Sequence, residues 1–99
     1  METREFFIAG FKHTQGPAII DELEVNEVLE VIPEPDNTFD SNAMRLETSD
    51  GVKLGYIPRG IAEKMNDPDD PLSNFKEARI AFVDPSAKPW MAVKVELVY

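Results

Sequence analysis

Alternation of apolar and polar side chains runs through most of this chain and predicts a protein built mainly of β-strands. Six segments have this pattern: residues 4–9, 27–32, 42–48, 52–57, 75–83 and 90–98. The first segment has apolar residues on both faces, which predicts a strand that is covered on each side. In the last segment the inward residues are expected to be Met91, Val93, Val95 and Leu97, and the outward residues Ala92, Lys94 and Glu96.

Two further segments have helical spacing. Residues 17–23 predict a single helical turn, and residues 58–65 predict a short helix. Its core-facing side chains are Ile61, Ala62 and Met65. Asp50 and Gly51 favour a tight hairpin between the third and fourth strands, because glycine readily adopts a positive φ. Such a set of short strands cannot bury its apolar faces as one flat sheet, so we expect one domain, residues 1–99, folded as a small closed or half-closed barrel.

Composition limits the chemistry of the chain. Cysteine is absent, which excludes disulfides, thiolate metal sites and cysteine nucleophiles and suits a reducing cytoplasm. A net charge of -9 gives little attraction for the phosphates of long duplex nucleic acid. The charge is unevenly distributed, since residues 21–50 contain ten acids and one base, whereas residues 51–66 contain three bases and one acid. A local basic patch on an acidic protein is therefore compatible with the sequence.

Three sequence segments together resemble a known family. The most specific of them is E-P-D-N-T-F-D-S-N-A-M at residues 34–44. It lies between I-A-G-F-K-H at residues 8–13 and D-G-V-K-L-G-Y-I-P-R at residues 50–59. This arrangement is similar to the HIRAN domain family, whose central segment reads E-P-x-N-x-[YF]-D-x-N-A-[IV] and whose hairpin ends in G-[YH]-[IVL]-P. The agreement in order and spacing extends over residues 7–65.

The resemblance implies a six-stranded barrel related to the OB- and SH3-like folds, with one short α-helix. It also implies a non-catalytic module that binds a single-stranded DNA end through the free 3′ hydroxyl. By position, Lys12 and Phe39 would flank terminal bases, Asp40 would accept a hydrogen bond from the hydroxyl, and Arg59 would approach a phosphate. His13 and Tyr56 would line the same pocket. The full implied set is Lys12, His13, Phe39, Asp40, Tyr56 and Arg59.

The central segment has a physical interpretation of its own. Its short polar side chains bond to nearby backbone and stabilise an irregular loop: Asp36, Asn37, Asp40 and Asn42. Phe39 interrupts this polar run, so its ring either plugs the end of the barrel or is offered to a ligand. The Asp40 carboxylate is likewise either a turn cap or a ligand contact. Gly55 permits another backbone or a ligand to come close to its strand.

A rival hypothesis is a protein-interaction module that has kept the barrel and lost DNA binding. In this case exposed strand edges or Trp90 would bind a partner. The charge of -9 favours this hypothesis. So does Lys12, which stands where the family has an arginine and cannot stack as a plane. His13 and Phe39 stand where the family has tyrosines.

Catalysis is not expected from this sequence. Asp67, Asp69 and Asp70 lack the spacing of an EF-hand, and no nucleophile elbow surrounds Ser41. Residues 10–16 lack the G-K-[ST] motif of a phosphate-binding loop, and a nucleotide hydrolase would need a metal site that the sequence does not offer. We therefore predict no enzyme activity, no cofactor, no metal and no membrane association. The expected state is a monomer or weak homodimer in the cytoplasm, with single-stranded DNA ends or a protein as partner.

Overall fold

A computed structural model describes all 99 residues and contains six strands and one α-helix. The strands are β1 (Thr3–Phe7), β2 (Val28–Pro33), β3 (Met44–Glu47), β4 (Lys53–Tyr56), β5 (Glu77–Val83) and β6 (Val93–Val98). The α-helix is α1 (Arg59–Met65), and four 3₁₀-helices span Phe11–His13, Gly16–Glu22, Pro71–Asn74 and Pro89–Met91. The predicted mainly β class with one short α-helix is confirmed. The longest helices comprise seven residues, and none is long and apolar enough to cross a membrane.

The strands form one curled antiparallel sheet in the order β1-β6-β5-β2-β3-β4. Its two end strands meet where Ala9 and Tyr56 exchange backbone hydrogen bonds of 2.9 Å. Gly55 makes this seam tight, because its φ is +139° and a Cβ there would lie 2.4 Å from the Ala9 carbonyl oxygen. The predicted close approach at Gly55 is therefore confirmed, and the neighbour is the backbone of Ala9.

The core fills the inside of the curled sheet. Five large aliphatic side chains with no exposed surface form its centre: Leu46, Leu54, Ile80, Val95 and Leu97. The predicted alternation in β3 is confirmed, since Met44 and Leu46 are buried whereas Arg45 and Glu47 are half-buried. The buried face of α1 adds Ile61, Ala62 and Met65. Burial of such aliphatic side chains contributes about 1.5–3 kcal/mol each and stabilises the half-barrel.

Two sequence-based details are wrong. β1 is not covered on both sides, because Phe6 and Ile8 are buried whereas Phe7 is half-buried and Ala9 is exposed. The last strand begins at Val93, because Pro89 starts a 3₁₀-helix and Ala92 has helical backbone angles. The alternation is broken at that point. Met91 is therefore 49% exposed, and Ala92 is buried.

Candidate functional site

A groove of about 360 Å³ opens at the seam where the chain end of β1 meets β4. Its walls come from the loop between β2 and β3, the last residue of β4 and the start of α1. Eight residues line it: Ala9, Asn37, Phe39, Asp40, Ala43, Tyr56, Ile57 and Arg59. A volume of this size lies at the small end of the range for small-ligand sites, roughly 300–1,000 Å³.

Asn37 fixes the shape of the loop between β2 and β3. Its side-chain oxygen accepts hydrogen bonds from the backbone N–H groups of Phe39 at 2.8 Å and Asp40 at 3.1 Å. Its amide nitrogen donates to Glu34 at 2.9 Å. The side chain thus accepts hydrogen bonds from backbone N–H groups that have no strand partner, as asparagine commonly does in turns. The expected loop-stabilising role of Asn37 is confirmed.

Phe39 lies at the crest of this loop with 91% of its surface exposed. The interpretation of the ring as a plug in the barrel end is therefore wrong. Its backbone is held by Asn37, so the ring is presented on a fixed segment rather than on a free tail. An exposed aromatic face can stack on a flat, electron-rich partner.

The two oxygens of Asp40 have different surroundings. Oδ1 accepts a hydrogen bond from the backbone N–H of Asn42 at 2.9 Å, which confirms the turn-capping interpretation for this oxygen. Oδ2 receives no hydrogen bond, and its nearest cation is Nε of Arg59 at 4.0 Å. The side chain is 18% exposed and borders the groove. Oδ2 is consequently able to accept a hydrogen bond from a hydroxyl that enters the groove.

Glu34 organises the polar side chains behind the groove. It accepts hydrogen bonds from Arg45 at 2.6 Å, from Asn37 at 2.9 Å and from the hydroxyl of Tyr56 at 3.0 Å. Burial alone raises the pKa of the Glu34 carboxyl, but the hydrogen bonds from Asn37, Arg45 and Tyr56 outweigh it and lower the pKa below its ordinary value. Glu34 is therefore a charged group whose charge is already compensated by Arg45.

Tyr56 connects this network to a second cation. Its hydroxyl accepts a hydrogen bond from Nζ of Lys53 at 3.1 Å while donating to Glu34. The same Nζ lies 4.6 Å from the centre of the Tyr56 ring. The ring is thus fixed by its backbone bonds to Ala9 and by its hydroxyl, and it forms a rigid wall of the groove.

Arg59 is the most loosely held charged residue of the groove. Its side chain is 73% exposed, and Nε lies 3.6 Å from Glu63 and 4.0 Å from Asp40. Exposed ion pairs of this kind contribute only about 0–1 kcal/mol. The guanidinium can therefore leave these partners for a stronger anion, such as a phosphate, at small cost.

The structure brings four of the six predicted site residues into one groove and leaves two beside it. Phe39, Asp40, Tyr56 and Arg59 line the groove. Lys12 and His13 do not line it; both are exposed on the 3₁₀-helix that begins two residues after Ala9. Gly10 allows this turn with a φ of +73°, and the buried Phe11 anchors it.

Sequence reasoning missed Glu34 and Arg45 as organisers of the site. Glu34 belongs to the 34–44 segment, but nothing in its spacing reveals that Arg45, eleven positions away, is its partner. The antiparallel pairing of β2 with β3 brings the two together, and that register is a property of the fold. In the sequence alone, the only indication of this pair was Arg45, an outward-facing base in an acidic stretch.

No group of three or more histidine, aspartate or glutamate side chains is arranged to hold a metal ion. The aspartates considered for calcium cap turns instead, since Asp67 accepts from the backbone of Asp69 and Asp70 from that of Leu72. The groove combines an exposed ring, a carboxylate oxygen without a donor and an exposed, weakly paired guanidinium. This set suits recognition of a flat base, a hydroxyl and a phosphate.

The comparisons with known proteins agree with the fold. The family model of the HIRAN domain matches residues 1–98. The chain is similar in structure to the HIRAN domain of human HLTF, with a TM-score of 0.71 and 15% identity over 96% of this chain and 72% of that one. It is also similar to a protein from Lactobacillus plantarum, with a TM-score of 0.69 and 22% identity over 98% and 89% of the two chains. No curated protein matches the sequence.

Proposed function

Because this chain belongs to the HIRAN domain family, whose members are binding modules known to bind DNA, we propose that it binds the 3′ end of single-stranded DNA in the groove at its seam. The observation that supports this most is the Oδ2 oxygen of Asp40. It borders the groove without a hydrogen-bond donor, next to an exposed aromatic ring and a loosely held arginine. The proposal assigns the chain no catalytic role.

The 3′ hydroxyl is the group that such a carboxylate oxygen selects. A strand end offers a hydroxyl donor, whereas an internal nucleotide has a phosphodiester at the same atom. An internal nucleotide would bring negative charge toward Asp40 and leave the oxygen without a donor. A hydrogen bond to a charged group is worth about 1.5–3 kcal/mol, which corresponds to roughly a 10- to 100-fold preference for the free end.

Phe39 and Arg59 supply the remaining contacts in this proposal. A base stacked on an exposed aromatic ring gains about 1–3 kcal/mol, independent of its identity. Arg59 binds the phosphate that precedes the terminal nucleotide, exchanging two weak ion pairs for one charge-assisted contact. Lys12 and His13 lie on the neighbouring turn, where a second phosphate would pass.

The acidity of the protein does not argue against a short contact. Glu34 and Glu47 lie 2.6 Å and 2.7 Å from the guanidinium of Arg45, and Lys53 joins the same network through the hydroxyl of Tyr56, so two acids face two bases. Beyond a Debye length, about 10 Å at 0.1 M salt, the remaining acids are screened. Recognition of one end needs few phosphate contacts, in contrast to duplex binding.

The experiment is fluorescence anisotropy with a short oligonucleotide labelled at its 5′ end. One version ends in a 3′ hydroxyl, and the other ends in a dideoxynucleotide, which removes the hydroxyl without adding charge. We expect binding to the first to be at least about tenfold tighter. Phe39→Ala should abolish most of the affinity. Phe82→Ala, which removes another exposed ring that does not line this groove, should not. Equal binding of both ends, or none at low salt, would contradict the proposal and leave the protein-interaction hypothesis.

A further inference from the structure

A second groove lies on the outer face of the sheet, at the β1 side. Its volume is about 500 Å³, and its apolar walls include Phe7, Phe82 and Met91. Phe7 and Phe82 flank Lys94 from the two neighbouring strands. Of the seven large hydrophobic side chains that are most exposed, three lie at this end of the β5–β6 hairpin: Phe82, Trp90 and Met91. Exposed apolar groups concentrated in one place commonly mark a binding surface.

Two bases line this groove on an otherwise acidic protein, and one of them, Lys94, lies 3.7 Å from Glu5 of β1. The groove is lined by Lys88 and Lys94, whereas the chain carries a net charge of -9. Its one acid, Asp84, is used locally: the side-chain and backbone hydrogen bonds from Ser86 lower the pKa of Asp84 and hold it in its own turn. Lys88 lies 5.4 Å from the centre of the Trp90 ring and has no acidic partner.

The groove adjoins a strand edge that is unpaired from Thr3 to Phe7 and is closed beyond it by the pairing of Ala9 with Tyr56. β1 has only one neighbour, β6, and its even-numbered residues make the bonds to β6, as the bonds of Glu2 and Ile8 to Tyr99 and Val93 show. In an antiparallel ladder the residues in between point their N–H and C=O groups away. The outward groups belong to Thr3, Glu5 and Phe7, the last of which also lines the groove.

We propose that β1 accepts an extended peptide as a seventh strand, with an apolar side chain of the peptide against the Phe7 ring at the rim of the groove and an acidic side chain directed at Lys94 or Lys88. The backbone edge distinguishes a peptide from a nucleic acid, because alternating N–H and C=O groups match a second peptide backbone. Side chains opposite each other on paired strands lie about 4.5–5.5 Å apart at Cβ, so a peptide residue opposite Phe7 packs against the Phe7 ring at the rim of the groove, with Lys94 on the next strand.

A second copy of the chain is the less favoured occupant. Pairing of two β1 strands about their centre would place Glu5 opposite Glu5, and like charges directly opposite each other are destabilising. Each copy also carries a charge of -9, which opposes close approach. This surface shares no lining residue with the 3′-end groove, so failure of either proposal leaves the other in place.

The test uses a blocked peptide with threonine at every second position and leucine alternating with glutamate in between. One face of the extended peptide then presents leucine and glutamate in turn. Binding is followed by the fluorescence of Trp90, the only tryptophan, at about 0.1 M salt, where the acidic field is screened. Hydrogen exchange reports whether the amides of Thr3, Glu5 and Phe7 become protected.

We expect a saturable change in Trp90 fluorescence and protection of the three outward amides. Glu5→Pro removes an amide that β6 does not use and should abolish binding, whereas Glu5→Gln keeps the amide and should bind no more weakly than wild type. Lys88→Glu combined with Lys94→Glu should weaken binding by about tenfold, and Lys64→Glu on α1 should not. A peptide with glutamine in place of glutamate should bind correspondingly more weakly.

Three outcomes would overturn the proposal. The first is equal binding by Glu5→Pro and Glu5→Gln, or by a peptide whose alternate amides are N-methylated, since either result would exclude strand addition. The second is a change in Trp90 fluorescence that depends only on protein concentration, which would indicate a second copy as the occupant. The third is a change in Trp90 fluorescence that an end-blocked oligonucleotide causes in wild type but not in Lys88→Glu, while the peptide causes no change.

Discussion

The seam between β1 and β4 makes a sharp prediction about Gly55. Gly55→Ala would place a Cβ 2.4 Å from the Ala9 carbonyl oxygen and 2.7 Å from Cγ2 of Ile8. It would also force alanine to adopt a φ of +139°. A strained backbone of this kind costs about 1–3 kcal/mol, and overpacking costs about 1–3 kcal/mol more. We expect a total loss of about 2–6 kcal/mol in the free energy of unfolding.

The assay is urea unfolding followed by circular dichroism, with thermal unfolding as a second reading. For a domain of this size each kcal/mol lowers Tm by about 4–8 °C, so the Tm of Gly55→Ala should be lower by at least roughly 8 °C. Gly60→Ala is the matched control, because a Cβ at Gly60 meets no atom within 4 Å and the residue lies in α1. This control should be neutral or stabilising by up to about 1 kcal/mol. A loss of less than about 1 kcal/mol in Gly55→Ala would refute the reasoning about the seam.

Three further predictions follow from the site. The hydrogen bonds that lower the pKa of Glu34 stabilise the fold above pH 4.5, and this stabilisation is lost as the pH falls through the folded-state pKa. The free energy of unfolding in urea should therefore depend less on pH in Glu34→Gln than in wild type. Tyr56→Phe removes the hydroxyl between Lys53 and Glu34 and should cost about 1 kcal/mol in the same assay; no change would contradict the proposed network. Phe39→Ala should change the free energy of unfolding by less than about 0.5 kcal/mol, since the ring is exposed; a larger loss would mean that the ring packs.

The sequence contains most of the information for the strands and part of the information for the site. Alternation in 42–48 predicted β3 and its inward residues, and helical spacing in 58–65 predicted the buried face of α1. Alternation failed at Met91 and Ala92, because Pro89 starts a 3₁₀-helix that shifts the inward positions. Local periodicity describes only regular backbone, and a proline-initiated turn resets it.

The same distinction applies to the groove. Asn37 and Asp40 were identified as loop residues, because short polar side chains act on the backbone within a few positions. The exposure of Phe39 and the pairing of Glu34 with Arg45 depend on how β2, β3 and β4 are arranged. Such long-range placement follows from sheet register and is not visible in any single segment of the sequence.

The most direct test of the central claim is a double-mutant cycle between Asp40 and the strand end. Affinities of wild type and Asp40→Asn are measured for oligonucleotides that end in a 3′ hydroxyl or in a dideoxynucleotide. We expect wild type to prefer the hydroxyl by roughly 10- to 100-fold and Asp40→Asn to lose nearly all of that preference, a coupling of about 1.5–3 kcal/mol. An equal preference in both proteins would contradict the claim that Asp40 recognises the 3′ end.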